Sequence, residues 1–339
     1  MRKPSATNDR TGTTDRRIDA LLTLLSENPM IVISGEKIAR EIGVTRSSVW
    51  RWTQRLRALG VQVKGHAHSG YQIERMPDVL SPTLLRKRMH GSVFGKRIYH
   101  YFKAGSTNSI AFDLGHAGEP HGVVVIAEEQ TAGRGRAGRA WHSEKTSGIY
   151  MTVLLRPTLS PMLAPLITMV AGLAVRDAIL EEIEIAPDLR WPNDLLLAGK
   201  KFGGILTEMH AEPDRVHFVI VGVGIDVNHT AMPAALSATA TSLRMITGKV
   251  HSRLQLVARL LRHLETYYNR LVDEGPAPIV TRFTEVSSYA RAKRVRIATA
   301  GMAYTGTTDG LEPNGLLRVR RDDSGRTEIV VSGDVAEAP

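Results

Sequence analysis

The hydrophobic periodicity of this chain changes character twice, and a single uniform layer of structure cannot satisfy all the patterns. Residues 16–25 set Ile18, Leu21, Leu22 and Leu25 at helical spacing. Ser34 can cap a second helix that turns Ile38, Ala39 and Ile42 inward, with Gly43 as its stop. Thr45 can cap a third, with Val49, Leu56 and Leu59 on one face and Gly60 at its end. Val61, Val63, Gly65, Gly70, Tyr71 and Ile73 then read as a short hairpin. Helix, helix–turn–helix and hairpin in that order make a winged helix-turn-helix. Residues 74–82, with Pro77 and Pro82, read as a linker. Apolar runs at 123–127, 149–155 and 216–221 follow, mixed with helical patterns at 163–182 and 252–271, until Gly275, Pro276 and Pro278 punctuate the end. Beyond Ser288 the pattern is one of short strands at 295–297, 302–308, 316–319 and 328–331 with turns at Asp309-Gly310 and Asn314-Gly315, which predicts a small β-barrel. The expectation is a multidomain α/β chain. It has a flexible tail over 1–15, a winged helix-turn-helix over 16–75, a linker over 76–84, a central mixed α+β domain over 85–275 and a barrel over 285–336.

Charge is distributed unevenly over these segments. The first 76 residues hold thirteen Lys/Arg against seven Asp/Glu, so +6 of the net +10 sits in under a quarter of the chain. That favours a polyanion-binding N-terminal module over a protein that is merely basic. The third helix offers Arg46, Ser47, Ser48, Arg51, Gln54 and Arg55 away from its apolar stripe, types suited to phosphate and base-edge contacts. Lys64, His66 and His68 would add wing contacts. A basic helix in a protein-interaction module is the competing reading. There is no cysteine, which excludes disulfides, a thiolate nucleophile and Cys-based zinc sites and fits a reducing cytosol. Residues 1–17 lack the apolar stretch of a signal peptide. The longest apolar run, residues 162–175, is too short to span a bilayer and reads as a buried helix, so a cytoplasmic protein without a membrane partner is expected.

Two clusters in the central segment carry chemistry. Residues 133–139 alternate glycine with Arg134, Arg136 and Arg139. Glycines let backbone approach a ligand, and arginines supply forked donors for phosphate or carboxylate. A surface loop or an RNA-binding one has the same composition, but a strand before it and Trp141 after it frame it as a site. Such a loop would repel itself when empty and order around an anion. The second cluster is Arg190-Trp191-Pro192-Asn193-Asp194, followed by Lys201 and Gly203-Gly204-Ile205. Trp191 and Asn193 would frame a base or ribose, Asp194 a cation, and Lys201 a ligand carboxylate or phosphate; an ordinary turn and a solvated lysine are the bland alternatives. Residues 221–225 alternate β-branched residues with Gly222 and Gly224, as a strand does when passing close to something flat. Its 216–221 part is a candidate edge strand for pairing two copies.

In this order, these motifs resemble the bifunctional biotin–protein ligases that also act as biotin operon repressors. The resemblance runs from about Arg16 to Val335. It rests on Gly105-Ser106-Thr107-Asn108, the stretch from Gln130 to Trp141, Arg190 to Asp194, Lys201 to Gly204 and Gly222 to Asn228. It implies a ligase central domain and an SH3-like C-terminal barrel. It implies that biotin binds at Ser106, Thr107, Asn108, Gln130 and Gly133, with Arg134, Arg136, Lys201, Gly204 and Ile205 completing that site. ATP would meet Arg136, Arg139, Trp141, Asn193, Lys201 and Asn228, and Lys201, Arg136 and Arg134 would carry the catalysis. Gly105, Arg190 and Asp226 depart from the family's usual residues, and Asp226 would add negative charge at the site.

The reaction so implied has two steps: biotin is activated by ATP with Mg2+ to biotinyl-5'-AMP, then passed to a lysine of a biotin carboxyl carrier protein. The adenylate-bound form would be a ligand-induced homodimer on operator DNA. Two other readings are a lipoate–protein ligase-like enzyme and a non-catalytic biotin-responsive regulator.

Overall fold

The computed structural model describes residues 7–29, 31–58, 60–74, 78–89, 91–299 and 301–338, side chains of 7–15 excepted. At the N-terminus α1 (Thr7–Glu27), α2 (Gly35–Glu41) and α3 (Arg46–Ala58) precede the hairpin β1 (Val63–His66) and β2 (Gly70–Ile73). The caps form as their side chains dictate: Ser34 Oγ accepts from Lys37 N at 3.1 Å and Thr45 Oγ1 from Ser48 N at 3.3 Å. Gly43 and Gly60 end their helices with φ of +66° and +88°, where a side chain is strained. The stripes of α1, α2 and α3 close on one core that includes Leu21, Ile38, Trp52 and Leu56. Leu59, expected on that face, has its side chain outside the described residues.

Two expectations at this end are corrected. The tail expected over 1–15 is helical from Thr7, because α1 extends that far; residues 1–6 lie outside the description. The linker expected over 76–84 is largely structured. Met76 and Pro77 lie outside the description, but Pro82 opens α4 (Pro82–Arg88), capped by Ser81, whose Oγ accepts from Leu84 N at 3.3 Å. Proline favours the first helical turn, where its missing N–H has no partner to lose. Asp19 of α1 accepts hydrogen bonds from Ser81 and Thr83, tying the N-terminal unit to this helix.

The central unit is a seven-stranded sheet in the order β3-β4-β5-β9-β8-β7-β6. Its strands are β3 (Ile98–Tyr101), β4 (Val123–Ala127), β5 (Gly148–Leu155), β6 (Asp188–Arg190), β7 (Asp194–Leu197), β8 (Lys200–Ala211) and β9 (Val216–Asp226). Only β3 and β4 run parallel. Helix α5 (Thr107–His116) covers one face; α6 (Ala164–Ile183), α8 (Arg253–Glu274) and α9 (Pro276–Val286) cover the other, and the short α7 (Leu243–Thr247) lies between β9 and α8. The segment 161–183 is the one helix among the described residues long and apolar enough to cross a membrane, and here most of it is buried in the core against the sheet and α8. Strand β9 lies between β5 and β8, so the edge-strand expectation for 216–221 is overturned. Its apolar run from Phe218 to Val221 is the mark of a strand covered on both faces. Gly275 caps the end of α8 at Glu274, as expected, and Pro276 also opens α9.

The C-terminal unit is a five-stranded antiparallel sheet of the SH3-like type, in the order β13-β12-β11-β10-β14. Its strands are β10 (Arg291–Thr299), β11 (Met302–Leu311), β12 (Leu317–Arg321), β13 (Thr327–Val330) and β14 (Asp334–Glu337). Asn314-Gly315 makes the expected turn, with Gly315 N donating to Glu312 O at 2.8 Å. Asp309-Gly310 does not; it lies within β11, where the register shifts between Thr308 and Leu311.

Candidate functional site

On the α5 face of β9 the side chains of alternate residues run Phe218, Ile220, Gly222, Gly224, Asp226. The first two pack on α5; the glycines then remove side chains from that face. A cavity of about 430 Å³ opens there. Its size suits a small organic ligand. Asn108 lies over Gly222, donating to Leu206 O at 3.2 Å and Glu208 Oε2 at 2.7 Å and accepting from Thr152 Oγ1 at 2.7 Å. Gly204 and Gly224 pair across β8 and β9, and the flat object passing them is the ring of Trp141. A Cβ at Gly224 would stand 2.5 Å from Trp141 Cε2. Gly224→Ala is therefore expected to expel the ring, cost about 1–3 kcal/mol and red-shift the tryptophan emission. An unchanged melting temperature and spectrum would contradict this packing.

The end of α5 supplies Ser106 and Thr107, both buried and both lining the cavity. Thr107 N and Oγ1 donate to Gln130 Oε1 at 2.9 and 3.1 Å, and Gln130 Nε2 donates to Ser143 Oγ at 3.1 Å. This fixes the Gln130 amide toward the cavity. Gly133 does not face it: a Cβ there would meet Trp141 O at 2.9 Å and Ser143 Oγ at 3.0 Å. Its smallness serves the packing behind the wall.

The glycine–arginine loop is a folded turn rather than a self-repelling tether. Gly135 N donates to Arg139 O at 2.6 Å. Arg136 Nη1 donates to Asn193 Oδ1 at 3.1 Å and Nη2 to Gly333 O at 3.2 Å. Arg139 makes a forked pair with Asp334 at 2.8 and 3.1 Å. Arg134 reaches Ser109 Oγ at 3.2 Å and Glu208 at 3.7 Å. Carbonyls, amide oxygens and two carboxylates thus offset the charge expected to keep the loop apart. All three arginines line the cavity. Burial lowers the Arg136 pKa from the usual arginine range, opposed by Asp334 and Asp194.

Lys201 projects into the cavity beside Trp141, with Nζ 5.6 Å from the ring centroid. It pairs with Asp194 at 2.5 Å, whose other oxygen accepts from Arg190 at 2.6 Å. Burial opposes ionisation of Asp194, but Lys201 and Arg190 outweigh it and hold the pKa below the usual carboxylate range. Asn193 lines the cavity and is clamped by Arg136 and by its own donation to Ile205 O at 2.9 Å; Gly204 and Ile205 line the same wall. Trp191 is a correction. Its ring is buried and Nε1 donates to Gly315 O at 3.0 Å, joining the sheet to the C-terminal unit instead of framing a ligand. Asn228 is another: its amide is spent on the backbone of His251 at 2.8 and 2.9 Å, outside the cavity.

Asp226 lines the cavity with Oδ1 buried and unpartnered. Burial pushes its pKa well above the usual carboxylate range, against the pull of Lys201. A protonated Asp226 can donate as an amide does, so it does not bring the full negative charge expected from the sequence. His229 beside it is driven to about 4 by burial, with His142 and Arg253 adding to the effect. The sequence did not mark Met232 or residues 238–240, which close the far wall. They lack a local signature and arrive through the bridge between Lys201 and Ala240.

A second surface lies on α3. Arg46, Ser47 and Arg51 are exposed, while Ser48 and Gln54 are half-buried. Ser47 and Ser48 share Thr45 Oγ1, each at 3.0 Å, and Arg51 donates to Ser48 Oγ at 3.4 Å. Arg55 departs from this set: its guanidinium lies 5.4 Å from the Phe102 ring, at the junction with the central unit. Trp50, passed over in the sequence, is 59% exposed on the same helix as Arg46 and Arg51.

The sequence profile of the Biotin/lipoate A/B protein ligase family matches residues 101–226, and that of an HTH domain matches 16–72. The Bifunctional ligase/repressor BirA of Bacillus subtilis is 34% identical over 307 residues, covering 89% of this chain and 94% of that protein. The Biotin--[acetyl-CoA-carboxylase] ligase of Mycobacterium tuberculosis is 34% identical over 270 residues, covering 77% of this chain and 97% of its own length. Among solved structures, the biotin protein ligase from Aquifex aeolicus in complex with biotin and ATP superposes with a TM-score of 0.60 at 27% identity, covering 71% of this chain and 98% of that one.

Proposed function

Because the chain belongs to the bifunctional ligase/repressor branch of the biotin–protein ligase family, we propose that the cavity beneath Trp141 is where it joins biotin to ATP, with Lys201 and Arg136 as the charges that let two anions meet. The protein is a biotin–[acetyl-CoA-carboxylase] ligase and a DNA-binding repressor, and biotin and ATP are its ligands. The observation that carries the site assignment is the convergence of Lys201, Arg136 and Trp141 on a wall stripped by Gly204 and Gly224.

In the first step the biotin carboxylate attacks the α-phosphorus of ATP and pyrophosphate leaves; in the second the acceptor lysine amine attacks the mixed anhydride and AMP leaves. Neither step needs a protein nucleophile. Gln130, oriented by Thr107 and Ser143, meets the polar ring of biotin beside Ser106 and Asn108. Lys201 is held in place by Asp194 until an incoming carboxylate or phosphate offers it a second partner. Arg136 neutralises charge that grows in the transition state, while Arg134 and Arg139 close the cavity and Trp141 and Asn193 face the nucleotide. Mg2+ would accompany the nucleotide, bound mostly by phosphate oxygens and water. Asp194 is already neutralised by Lys201 and Arg190, whereas Asp226 has an orphaned buried oxygen, so Asp226, giving up its proton in favour of the cation, is the residue that would hold it. Biotin-dependent exchange of labelled pyrophosphate into ATP tests the assignment; exchange that continues undiminished without Lys201 and Arg136 would contradict it.

The carboxyl carrier protein of the carboxylase is the proposed acceptor and the cytoplasm the proposed place of action. Operator binding by a ligand-induced dimer is proposed for the N-terminal unit, since one recognition helix makes few base contacts. Biotin with ATP is expected to tighten operator binding, and Arg51→Ala to weaken it by about 1–3 kcal/mol without changing ligation. Gel shifts and sedimentation with and without both ligands check this. Equal affinity in the two conditions, or a bound monomer, would contradict the coupling.

A further inference from the structure

Beside the cavity, two neighbouring residues each hold a buried polar atom without a hydrogen-bond partner: Asp226 Oδ1 and His229 Nδ1. Buried groups left in this way call for a ligand. His229 Nε2 lies 3.6 Å from Asp226 Oδ1 and 3.9 Å from Glu144 Oε2, and the His142 ring centroid is 5.8 Å from that of His229. One ligand atom from each of His142, Glu144 and His229 can be chosen so that all lie within 4.8 Å of one another, the only such trio among the described residues. We propose that His142, Glu144 and His229 form a divalent-cation site of the zinc class at the rim of the cavity, with Asp226 as the carboxylate behind it.

The donor set carries the choice of ion. Two imidazoles and a carboxylate are ligands for zinc-like ions, which leave a position open for water, whereas Mg2+ takes oxygen ligands. Zinc ligands at about 2.05 Å stand roughly 3.3 Å apart, so the group must contract by up to about 1.5 Å. The two residues that must move are free to do so: His142 and Glu144 are exposed on the segment after Trp141, whereas His229 is buried and its carbonyl is held by Ser242 Oγ at 2.7 Å. Occupation would clamp residues 142–144 to the end of β9. It would thereby hold the neighbouring Trp141 against Gly204 and Gly224.

The test uses full-length, tag-free protein and no nucleotide. Zn2+ is titrated against a chromogenic chelator, and Co2+ is added separately to read the visible bands of a low-symmetry site. The expected result is one ion per chain, not displaced by millimolar Mg2+, and weakened at least about tenfold by His142→Ala and by Glu144→Gln. Both residues are exposed, so the variants should melt as the wild type does. His210→Ala serves as control, because His116, His210 and His217 make a separate stack of rings. Absence of binding, wild-type affinity in His142→Ala, displacement by Mg2+, or loss in His210→Ala would overturn the proposal.

Discussion

Replacing Lys201 with alanine is expected to slow adenylate formation by about 10²–10³-fold while biotin still binds. Lys201 is the one lysine lining the cavity, and its ammonium sits between Asp194 and the Trp141 ring. In the ground state its charge is largely matched by Asp194, so the net gain on binding a carboxylate is small. In the transition state negative charge concentrates between carboxylate and α-phosphate, and a cation there stabilises it far more. The loss should therefore fall on the rate and much less on affinity. Biotin-dependent pyrophosphate release, set beside calorimetric titration with biotin, separates the two. Near-normal release by the variant would remove Lys201 from the chemistry.

Arg253→Met is expected to destabilise the protein by about 3–5 kcal/mol. Arg253 is fully buried at the start of α8. It donates to Glu128 Oε2 at 2.8 Å, Gly148 O at 3.1 Å and Asp78 Oδ2 at 3.0 Å, and also to the Asp78 carbonyl. Glu128, equally buried, also accepts from Leu80 N at 2.8 Å. One guanidinium thus joins the segment leading from the N-terminal unit to β4, β5 and α8. Burial alone would raise the Glu128 pKa, but Arg253, His100 and Leu80 outweigh it and hold the carboxyl at about 2. Its ionised form therefore contributes stability above about pH 4.5, the ordinary value, and that contribution is lost as the pH falls toward 2. Without Arg253 the buried carboxyl protonates readily, so the deficit of the variant should shrink in acid. Urea melts at neutral pH and below pH 4 check both points, and Arg253→Met with Glu128→Leu should recover much of the loss. A variant as stable as wild type at neutral pH would contradict the network's role.

The sequence disclosed what local chemistry decides. Ser34 and Thr45 cap the helices they precede because a side-chain oxygen next to free N–H groups has few alternatives. The glycine at 224 announced a flat neighbour, although not that the neighbour was Trp141, 83 residues earlier in the sequence, and the glycine at 222 makes room for the Asn108 amide instead. What stayed hidden depends on distant partners. Trp191 and Asn228 carry ligand-binding side-chain types, yet Gly315 and the His251 backbone claim their polar atoms. The arginine loop looked unsupported because its anchors, Gly333 and Asp334, lie nearly two hundred residues away. Pro276 was ambiguous in itself, since proline both follows helices and begins them. Asp226 read as a charge because composition gives no burial.

The Trp141 cavity is proposed to activate biotin for transfer to a protein lysine. Purified protein incubated with a carboxyl carrier domain, ATP and either biotin or lipoate tests it most directly, with intact-mass spectrometry of the carrier as the readout. The expected product carries one biotinyl group on one lysine, dependent on ATP and lost in Lys201→Ala, with no lipoyl group added. Labelling by lipoate in preference to biotin, or an unmodified carrier beside protein that still binds biotin, would contradict it.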